Sequence, residues 1–550
     1  MCHVKVVLLC KGRGGDVASY QPQRDETQWW NRRDALVRCV AAFLYGPWSE
    51  KCTSRELVLV HDEDWARMHM KLNENDTFPS EFYVINAWKE AALNPHAATR
   101  KNSSLECHLV HSSLPLQDAG DVDKMESKRE VLEHLQKHCD IEFLRKHHLN
   151  SKPDVILRKT NKKKLVQVWD EWNQLHQASP VATTKEIVAS IFTEMLQPKD
   201  DQVKQVIAAT LHESSDAELP CFDLQNEQQD DSVQIVLFLG AVRDMLPSEN
   251  KILERICNEQ SIPLTGVRLG SVPEFTSKIL SVVAYHQASG VLANALKTAI
   301  QNINQVNEPA SKRQKIQDIS TAQQHMHVVC SIPISSDQLT PILANRSCEM
   351  WTMVRLAVVT LWRSRIASSN ATYLSTSLSF LFQDGKTLTL KQDELVNSLA
   401  EQHQAAPSEY QILNAFCKML LTNKDQQDVS HLLNAPSLIA LNVHLEDKDV
   451  DTLSTGIYNG TIDFKSQNIL VLLSLTKKHP GHKTIVKACL KADIPLKECS
   501  ILPSMNSFQD AAGATVTILQ HFIYQNRLFC YFSTLANKKP TKKKKIKEMK

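Results

Sequence analysis

Two apolar runs near the start of the chain, separated by an amphipathic stretch, place the strongest constraint on its fold. Val4–Cys10 is a nearly continuous apolar run of strand length, and Glu56–Val60 contains a second one. Between them, residues 32–45 carry apolar side chains at helical spacing, and Gly46-Pro47 ends that pattern. Strands buried on both faces are unbroken apolar runs, and a strand–helix–strand unit joins parallel strands. The pattern therefore predicts a parallel sheet covered by helices.

The same α/β character returns in residues 233–300. Val233–Leu239 is an apolar strand that ends at Gly240, and a helix capped by Ser248 follows it. Leu264–Gly270 is predicted to be the next strand and turn, and Phe275–Leu296 one long helix. We therefore expect residues 1–75 and 233–300 to be two halves of one α/β core.

Glycine is scarce in this chain, so its positions are informative. Eight of the 14 glycines lie within residues 1–70 or 230–297, about a quarter of the 550 residues. Glycine after a parallel strand lets the backbone turn sharply and approach a ligand, and ligands of open α/β sheets bind at the carboxyl ends of strands. Ordinary turns at the rim of the sheet explain the same glycines without a ligand.

Three short motifs in the second half together resemble a known family. They are Phe238-Leu239-Gly240-Ala241-Val242-Arg243, Gly266-Val267-Arg268-Leu269-Gly270-Ser271-Val272-Pro273 and Glu274-Phe275-Thr276-Ser277. This segment resembles the C-terminal half of the SPOUT (α/β-knot) RNA methyltransferases, over about 140 residues when the N-terminal half is included. The resemblance implies adjacent strands at 233–239 and 264–269, a helix after residue 275 that passes through a loop, and a homodimer.

The resemblance also implies a cofactor and the residues that hold it. Backbone groups of the two glycine loops would bind S-adenosylmethionine, which assigns cofactor contacts to Gly240, Gly266, Leu269, Gly270 and Thr276. The chain departs from the family where Ala241, Val242 and Arg243 follow a single glycine, and where Pro273-Glu274-Phe275-Thr276 replaces the family's Arg-x-Glu-Thr stretch. No catalytic arginine carries over, although Arg243 or Arg268 could compensate. A SPOUT fold without methyl transfer is therefore an open alternative.

A basic, mainly helical segment lies within residues 76–232, which we interpret as an insertion with linkers. Helices are predicted at 128–139 and 141–148, then an extended Asp154–Leu157 and a stripe through Leu165, Val168, Trp169 and Trp172. The segment is a candidate RNA-binding module, with its contacts assigned to Arg158, Lys159, Lys162, Lys163 and Lys164. The alternative is an ordinary helical insert with a lysine-rich face.

One acidic cluster, His61-Asp62-Glu63-Asp64, follows the second strand. Its carboxylates could bind a metal or a ribose hydroxyl. The alternative is that Asp62 or Asp64 caps a helix over Trp65–Met70. No histidine or cysteine group has the spacing of a metal site, so no metal is assigned.

The remaining segments set the domain plan. Residues 301–325 are a polar linker, 326–537 an α+β domain of unknown role, and 538–550 a disordered tail with eight lysines and one glutamate. The tail favours a nuclear over a cytoplasmic location, or is simply a solvated terminus. The 14 cysteines include no Cys-x-x-Cys pair, which indicates free, buried thiols in a soluble intracellular protein.

Composition excludes several classes. Hydrophobic residues make up 42% and charged residues 23%, as in globular proteins, and no apolar run is long enough to span a membrane. The P-loop, His-Glu-x-x-His and Gly-x-Ser-x-Gly motifs are absent. The sequence predicts an S-adenosylmethionine-dependent RNA methyltransferase or a catalytically degenerate relative that binds RNA. The alternative is a non-catalytic nuclear scaffold whose C-terminal domain binds a protein partner.

Overall fold

The computed structural model divides the chain into two compact units. The first comprises residues 1–269, 274–311 and 399–414, and the second residues 270–273, 312–398 and 415–550. The structure describes residues 2–20, 33–45, 55–72, 81–93, 105–110, 125, 127–139, 141–150, 153–176, 184–212, 215, 217–219, 232–241, 243–269, 276–305, 324–338, 348–361, 374–391, 412, 415–416, 433, 437–445, 468–476, 479–500, 512–513 and 515–521. The lysine tail from residue 538 lies outside these ranges.

An eight-stranded sheet forms the centre of the first unit. Its strands are β1 (His3–Cys10), β2 (Arg55–His61), β3 (Arg67–Leu72), β4 (Leu105–Val110), β5 (Gln205–Leu211), β6 (Ala217–Glu218), β7 (Val233–Ala241) and β8 (Leu264–Arg268). They lie in the order β4-β3-β2-β1-β7-β5-β8-β6. The β2–β3 and β3–β4 pairs are antiparallel and all other pairs are parallel. The predicted parallel sheet built from both ends of residues 1–300 is therefore confirmed.

Helices cover both faces of this sheet. The described helices of the first unit are α1 (Arg33–Leu44), α2 (Glu81–Leu93), α3 (Lys128–His138), α4 (Ile141–Lys146), α5 (Pro153–Lys159), α6 (Lys162–His176), α7 (Thr184–Leu196), α8 (Pro247–Glu259), α9 (Thr276–Ala288) and α10 (Leu292–Gln305), and those that cover the sheet are α1, α2 and α7 to α10. Val4 and Val6 of β1 are buried with α1, α2, α9 and α10 on one face. Val7 and Leu9, which point the other way, are buried with α7 and α8. The core is thus two apolar layers separated by the sheet.

Helices α3 to α6 have an apolar core of their own. Phe143 packs edge-on against Trp172, with ring centroids 4.9 Å apart, and Leu132, Leu135 and Trp169 are buried beside them. The amphipathic stripe predicted through Trp169 and Trp172 is the inner face of α6. The basic segment is therefore a small helical module.

The range 76–232 is more than an insertion, because strands of the central sheet lie within it. β4 falls inside the polar stretch at about 100–123, one of the linkers predicted within this range, and β5 lies between β7 and β8. The expectation that the strands at 233–239 and 264–269 are neighbours is therefore wrong. The apolar run Val206–Ala209 of β5 pairs with both of them and separates them. Most of the loop that leads to α9 is outside the described residues, and the predicted threading lies there.

A six-stranded sheet is the core of the second unit. Its elements are β9 (Gln324–Ser331), α11 (Cys348–Leu361), β10 (Leu374–Leu381), β11 (Thr387–Lys391), β12 (Leu438–His444), β13 (Asn468–Ser474), α12 (Pro480–Lys491) and β14 (Leu496–Ser500). The strand order is β11-β10-β9-β13-β12-β14, and only the β10–β11 hairpin is antiparallel. The predicted α+β class is therefore wrong for this unit, which is also α/β. Of its two central strands, β13 contains the apolar run Ile469–Leu473, as burial on both faces of a parallel sheet favours, whereas β9 also carries His325 and His327.

Three local predictions are also wrong. Trp65–Met70 is not a helix, because Met68 and Met70 point into the core from β3, which pairs antiparallel with β2. Asp154–Leu157 is part of α5, whose Ile156 packs in the core of the helical module. The predicted helix Phe275–Leu296 is two helices, since Gly290 has a φ of +81° and ends the first.

The helix predicted to be capped by Ser248 begins two residues earlier than that cap implies. Leu246 is its N-cap, and the Glu249 carboxylate accepts a hydrogen bond from the Leu246 amide at 2.7 Å. A side chain from inside the first turn thus satisfies the amide that precedes the helix.

Within the described residues, no single helix is both long and apolar enough to cross a membrane. α9 and the first turns of α10 meet that test only as a pair, which is bent by 100°. The free, buried cysteines among the side chains that the structure describes are Cys2, Cys10, Cys39, Cys107, Cys139, Cys257, Cys330, Cys489 and Cys499.

A candidate site at the carboxyl edge of the first sheet

The chain reverses its winding direction between β1 and β7. β1 leads through α1 to β2 on one side, and β7 leads through α8 to β8 on the other. The two helices lie on opposite faces of the sheet. Ligands of doubly wound sheets bind in the crevice that such a reversal opens at the carboxyl ends of the strands. The candidate site is therefore the edge formed by the loops after β1, β2 and β7.

The loop after β1 is glycine-rich, and two carboxylates of the loop after β2 bind its amides. The Gly12 amide donates to Asp62 Oδ1 at 2.9 Å, and the Gly14 amide donates to Asp64 Oδ2 at 3.1 Å. Asp64 Oδ1 also accepts from the Ala66 amide at 3.1 Å. The sequence predicted that Asp62 or Asp64 caps a helix. They do bind backbone amides, but those of a neighbouring loop and a hairpin turn.

Arg243, from the loop after β7, reaches across the crevice. Its Nε lies 3.1 Å from Asp62 Oδ2, and its two terminal nitrogens donate to the Glu249 carboxylate at 2.9 and 2.8 Å. A guanidinium paired with two carboxylates is held in one orientation. Asp62 therefore connects the loop after β1, through Gly12, to the loop after β7.

A second arginine, Arg33, binds backbone carbonyls of the glycine loop. The buried Arg33 guanidinium donates to the carbonyl oxygens of Lys11 at 3.4 Å and Arg13 at 3.3 Å, and to Asp16 Oδ2 at 3.3 Å. Arg33 stands at the start of α1, so the helix fixes the loop's conformation. The sequence shows two consecutive arginines at the start of the first helix, but it does not show that the side chain of one of them binds the glycine loop.

Burial shifts the ionisation of two groups at this edge. It raises the pKa of Asp64 to about 7, although the Ala66 and Gly14 amides favour the carboxylate. It also holds the pKa of His61 well below its ordinary value, and the Arg33 charge adds to that effect. The imidazole of His61 is therefore neutral near pH 7, and Asp64 exchanges a proton in that range.

Of the residues predicted to hold S-adenosylmethionine, Gly240 and Thr276 lie together, whereas Gly266 belongs to β8, which β5 separates from β7. Thr276 Oγ1 donates to the Gly240 carbonyl at 3.0 Å, which joins the start of α9 to the end of β7. Gly266 lies within β8, paired with Thr210 of the intervening β5, and Leu269 packs against the core. Gly270 lies outside the described residues.

These positions do not fit the cofactor in the way that the resemblance implies. The Gly240 carbonyl already has a partner, and a β-carbon on Gly240 would meet the backbone of its own loop at Arg243 and Asp244. This glycine is needed for the turn of the chain rather than for a ligand. No step of a reaction is therefore derived through the cofactor.

The predicted RNA contacts stand at the junction of α5 and α6. Arg158, Lys159, Lys163 and Lys164 are exposed, and in the part of the chain that the structure describes none of these four side chains makes an ion pair or hydrogen bond. Lys162 differs, because its Nζ donates to the Met125 carbonyl at 2.6 Å. We call the four exposed residues the cationic face.

A cavity of about 510 Å³ lies between the helical module and the glycine loop. Its lining residues are Arg13, Met125, Glu130, Glu133, His134 and Gln136. Two charged residues of its wall already have partners in the protein. Glu130 takes part in the N-terminal cap of α3, and Arg13 forms an ion pair with Glu63. Among the residues described, no three histidine, cysteine or acidic side chains are placed to bind a metal ion.

Comparison of the chain with known protein families and with curated proteins finds no match.

Proposed function

We propose that this protein binds RNA through the cationic face of its helical module, and that its first α/β unit is a non-methylating relative of the RNA methyltransferases. The observation that carries the proposal is the exposure of Arg158, Lys159, Lys163 and Lys164 without internal partners, within seven residues. Other arginines of this unit, such as Arg33 and Arg243, are paired with carboxylates. Unpaired cations that cluster on one surface are the electrostatic footprint of a phosphate-binding site.

The start of α6 strengthens the positive potential of this face. α6 has no acidic residue in its first turn, and its N-cap, Asn161, accepts a hydrogen bond from the Lys164 amide at 2.9 Å. The N-terminus of a helix carries a partial positive charge, which attracts phosphate. Lys163 and Lys164 thus add to the field of the helix end itself.

The aromatic side chains of the module point inward. Phe143, Trp169 and Trp172 are buried in its core and cannot stack on bases. Recognition through this surface is therefore by phosphate contact, which is insensitive to base sequence and sensitive to salt.

The occupied carboxyl edge of the first sheet supports the non-methylating part of the proposal. Asp62 and Asp64 already accept hydrogen bonds from the Gly12 and Gly14 amides of the glycine loop. Thr276 already donates one to the Gly240 carbonyl. A methyl donor at this edge would need backbone groups that are free to hold it.

The test is a binding titration of the full chain with a fluorescent RNA hairpin at several salt concentrations. The variant replaces the four residues of the cationic face with glutamine. The control replaces four exposed lysines of the second unit with glutamine, namely Lys483, Lys487, Lys491 and Lys497. We expect the variant to lose at least tenfold in affinity and its slope of log K against log salt to fall by about 3, because each phosphate contact contributes roughly 0.7–0.9. The control should keep the wild-type slope.

Equal losses in the two variants would contradict a specific face. No binding by the folded wild-type protein would favour the alternative, a scaffold that binds a protein partner through its second unit. A separate variant with Lys542–Lys545 replaced measures how much of the RNA affinity comes from the tail. The homodimer and the nuclear location stay predictions, which sedimentation and cell imaging can test.

A further inference from the structure

The cationic face lies where α5 passes into α6, and the chain has little freedom there. Only Thr160 and Asn161 separate the two helices, and Ile156 and Leu165 on either side of them are buried in the core of the helical module. We infer that this face binds double-stranded RNA in preference to single strands. The inference rests on the proposed function and names the class of RNA that the face takes.

Two lysines fix this junction to the start of α3. Lys128 Nζ donates to the Leu157 carbonyl at 2.7 Å, and Lys162 Nζ donates to the Met125 carbonyl at 2.6 Å. The backbone that carries the four exposed cations is therefore held in place before RNA binds. A duplex also presents its phosphates at fixed positions, whereas a flexible single strand must lose conformational entropy to match a fixed surface.

The helical module lacks the features that hold single strands. Residues 125–176 contain one phenylalanine, two tryptophans and no tyrosine, and all three rings are buried. Proteins that bind single strands without sequence preference stack the bases on exposed aromatic side chains along a positively charged groove. The cavity beside the module is no such groove, because Glu130 and Glu133 line it and none of the four cations does. The face thus offers phosphate contacts without stacking.

Phosphate density also favours the duplex. Two strands place more negative charge on each length of the ligand than one strand does, so each phosphate contact releases more counterions from a duplex. The same four cations therefore gain more free energy from a duplex than from a single strand. We expect a preference of about tenfold at low salt.

The test is a fluorescence-anisotropy titration of the full chain with two RNAs that carry the same number of phosphates. One is a duplex of about 20 base pairs, and the other is an oligouridine, which forms no stable secondary structure. We expect the duplex to bind about tenfold more tightly, and a second duplex of unrelated sequence to bind equally well, because phosphate contacts carry no sequence information. The variant with glutamine at the four positions of the cationic face should lose this preference.

A second variant tests whether the missing aromatic is the reason. Val155 is 48% exposed and lies one turn before Arg158 and Lys159 on α5, so Val155→Trp adds an exposed ring beside these cations and removes no charge. We expect its affinity for oligouridine to rise by about fivefold or more through stacking, with the duplex affinity changed by less than about twofold. Val155→Leu is the matched control and should bind both RNAs as the wild type does.

The outcomes separate this inference from the proposed function. Equal or tighter binding of oligouridine by the wild type would overturn the duplex preference and leave RNA binding in place. No binding of either RNA by the folded protein would contradict the proposed function itself. An unchanged oligouridine affinity in Val155→Trp would contradict the role given to the missing aromatic side chain.

Discussion

The backbone of Arg243 folds back against Gly240, so that a β-carbon on Gly240 would lie 2.8 Å from the Asp244 Cα and closer still to the Arg243 carbonyl. Real β-carbons essentially never approach backbone this closely. The turn after β7 therefore requires glycine for steric reasons, and this turn is what aims the Arg243 side chain at Asp62.

Gly240→Ala should destabilise the first unit by about 2–4 kcal/mol, because backbone atoms must move to admit the methyl group. Gly266→Ala is the control. Its β-carbon would meet the Ser215 Oγ at 3.2 Å, and a side-chain hydroxyl can rotate away, so we expect a loss below about 1 kcal/mol. Urea unfolding of the two variants measures the difference, and similar losses would contradict the steric argument.

Asp64 should make the stability of the first unit depend on pH. Its folded-state pKa of about 7 lies above the value of about 3.9 in an unfolded chain. Its contribution to stability is therefore complete below about pH 4 and is lost as the pH rises through 7.

Asp64→Asn removes this titration but keeps Oδ1, which lies within reach of both the Ala66 and the Gly14 amides. We expect the stability of the variant, relative to the wild type, to increase as the pH rises from 4 to 8. Thermal unfolding across that range, with Glu63→Gln as control, gives the answer. Parallel curves for wild type and Asp64→Asn would mean that this carboxyl does not titrate there.

Glu56 is the centre of a buried ionic cluster at the opposite edge of the same sheet. It accepts a hydrogen bond from His69 Nδ1 at 3.0 Å and lies 3.8 Å from both His3 Nε2 and Lys5 Nζ. Burial disfavours its charged form, but the interactions with His3, His69 and Lys5 outweigh burial and lower the pKa of Glu56 well below its ordinary value. Its contribution to stability is thus present above about pH 4 and is lost in more acidic solution.

Glu56→Gln should cost about 3–5 kcal/mol, because it leaves the buried Lys5 ammonium without a counter-charge. Glu259→Gln is the control, since that side chain is 64% exposed in its ion pair with the 60% exposed Arg255 and should cost less than about 1 kcal/mol. Chemical denaturation near pH 7 distinguishes the two. A small loss for Glu56→Gln would indicate that Lys5 reaches water or deprotonates.

A chain of polar side chains fixes the start of α12 to the second sheet. His482 Nε2 donates to Asn442 Oδ1 at 2.9 Å, and Asn442 Nδ2 donates to Glu498 Oε2 at 2.8 Å. Burial, with the nearby charges of His479 and His444, lowers the pKa of His482 to about 4, so the ring is neutral near pH 7.

Asn442→Leu should destabilise the second unit by about 1–3 kcal/mol, since it leaves the half-buried His482 without its acceptor. The exposed His444, which also contacts Glu498, provides the control variant His444→Gln. We expect a loss below about 0.5 kcal/mol for the control. Equal losses of stability in the two variants would indicate that Glu498, which both side chains contact, contributes more to stability than the bond between Asn442 and His482.

Sequence reasoning located four parallel strands of the first sheet, β1, β2, β7 and β8, to within about two residues, because burial on both faces leaves an unbroken apolar run. It did not find the parallel strand β5, which lies in a segment predicted to be mainly helical. It missed β3 and β4, whose antiparallel pairing needs only alternate apolar positions such as Met68 and Met70. In Leu105–Val110 the intervening residues are glutamate and histidine, which made the stretch resemble a polar linker.

At the candidate site, the residue types were informative but their partners were not. Asp62 or Asp64 was expected to cap a helix over Trp65–Met70, which does not form, or to bind a metal or a ribose hydroxyl; instead both bind amides of the glycine loop. Which amides they bind follows from the pairing of β1 with β2, a tertiary contact that local pattern does not encode. The contact between Arg243 and Asp62 likewise depends on β7 pairing with β1, from the far end of the unit.

The central position of β1 also governs how the chain can be made. Val6 pairs with Leu57 on one side and with Leu237 on the other. A ribosome adds roughly 5–20 residues per second, so one edge of β1 waits on the order of ten seconds or more for its second neighbour. During that interval an apolar strand edge is available to other nascent chains. The first unit therefore cannot complete its sheet until β8 has been made, about halfway along the chain, and its earlier intermediates are the species that a chaperone would meet.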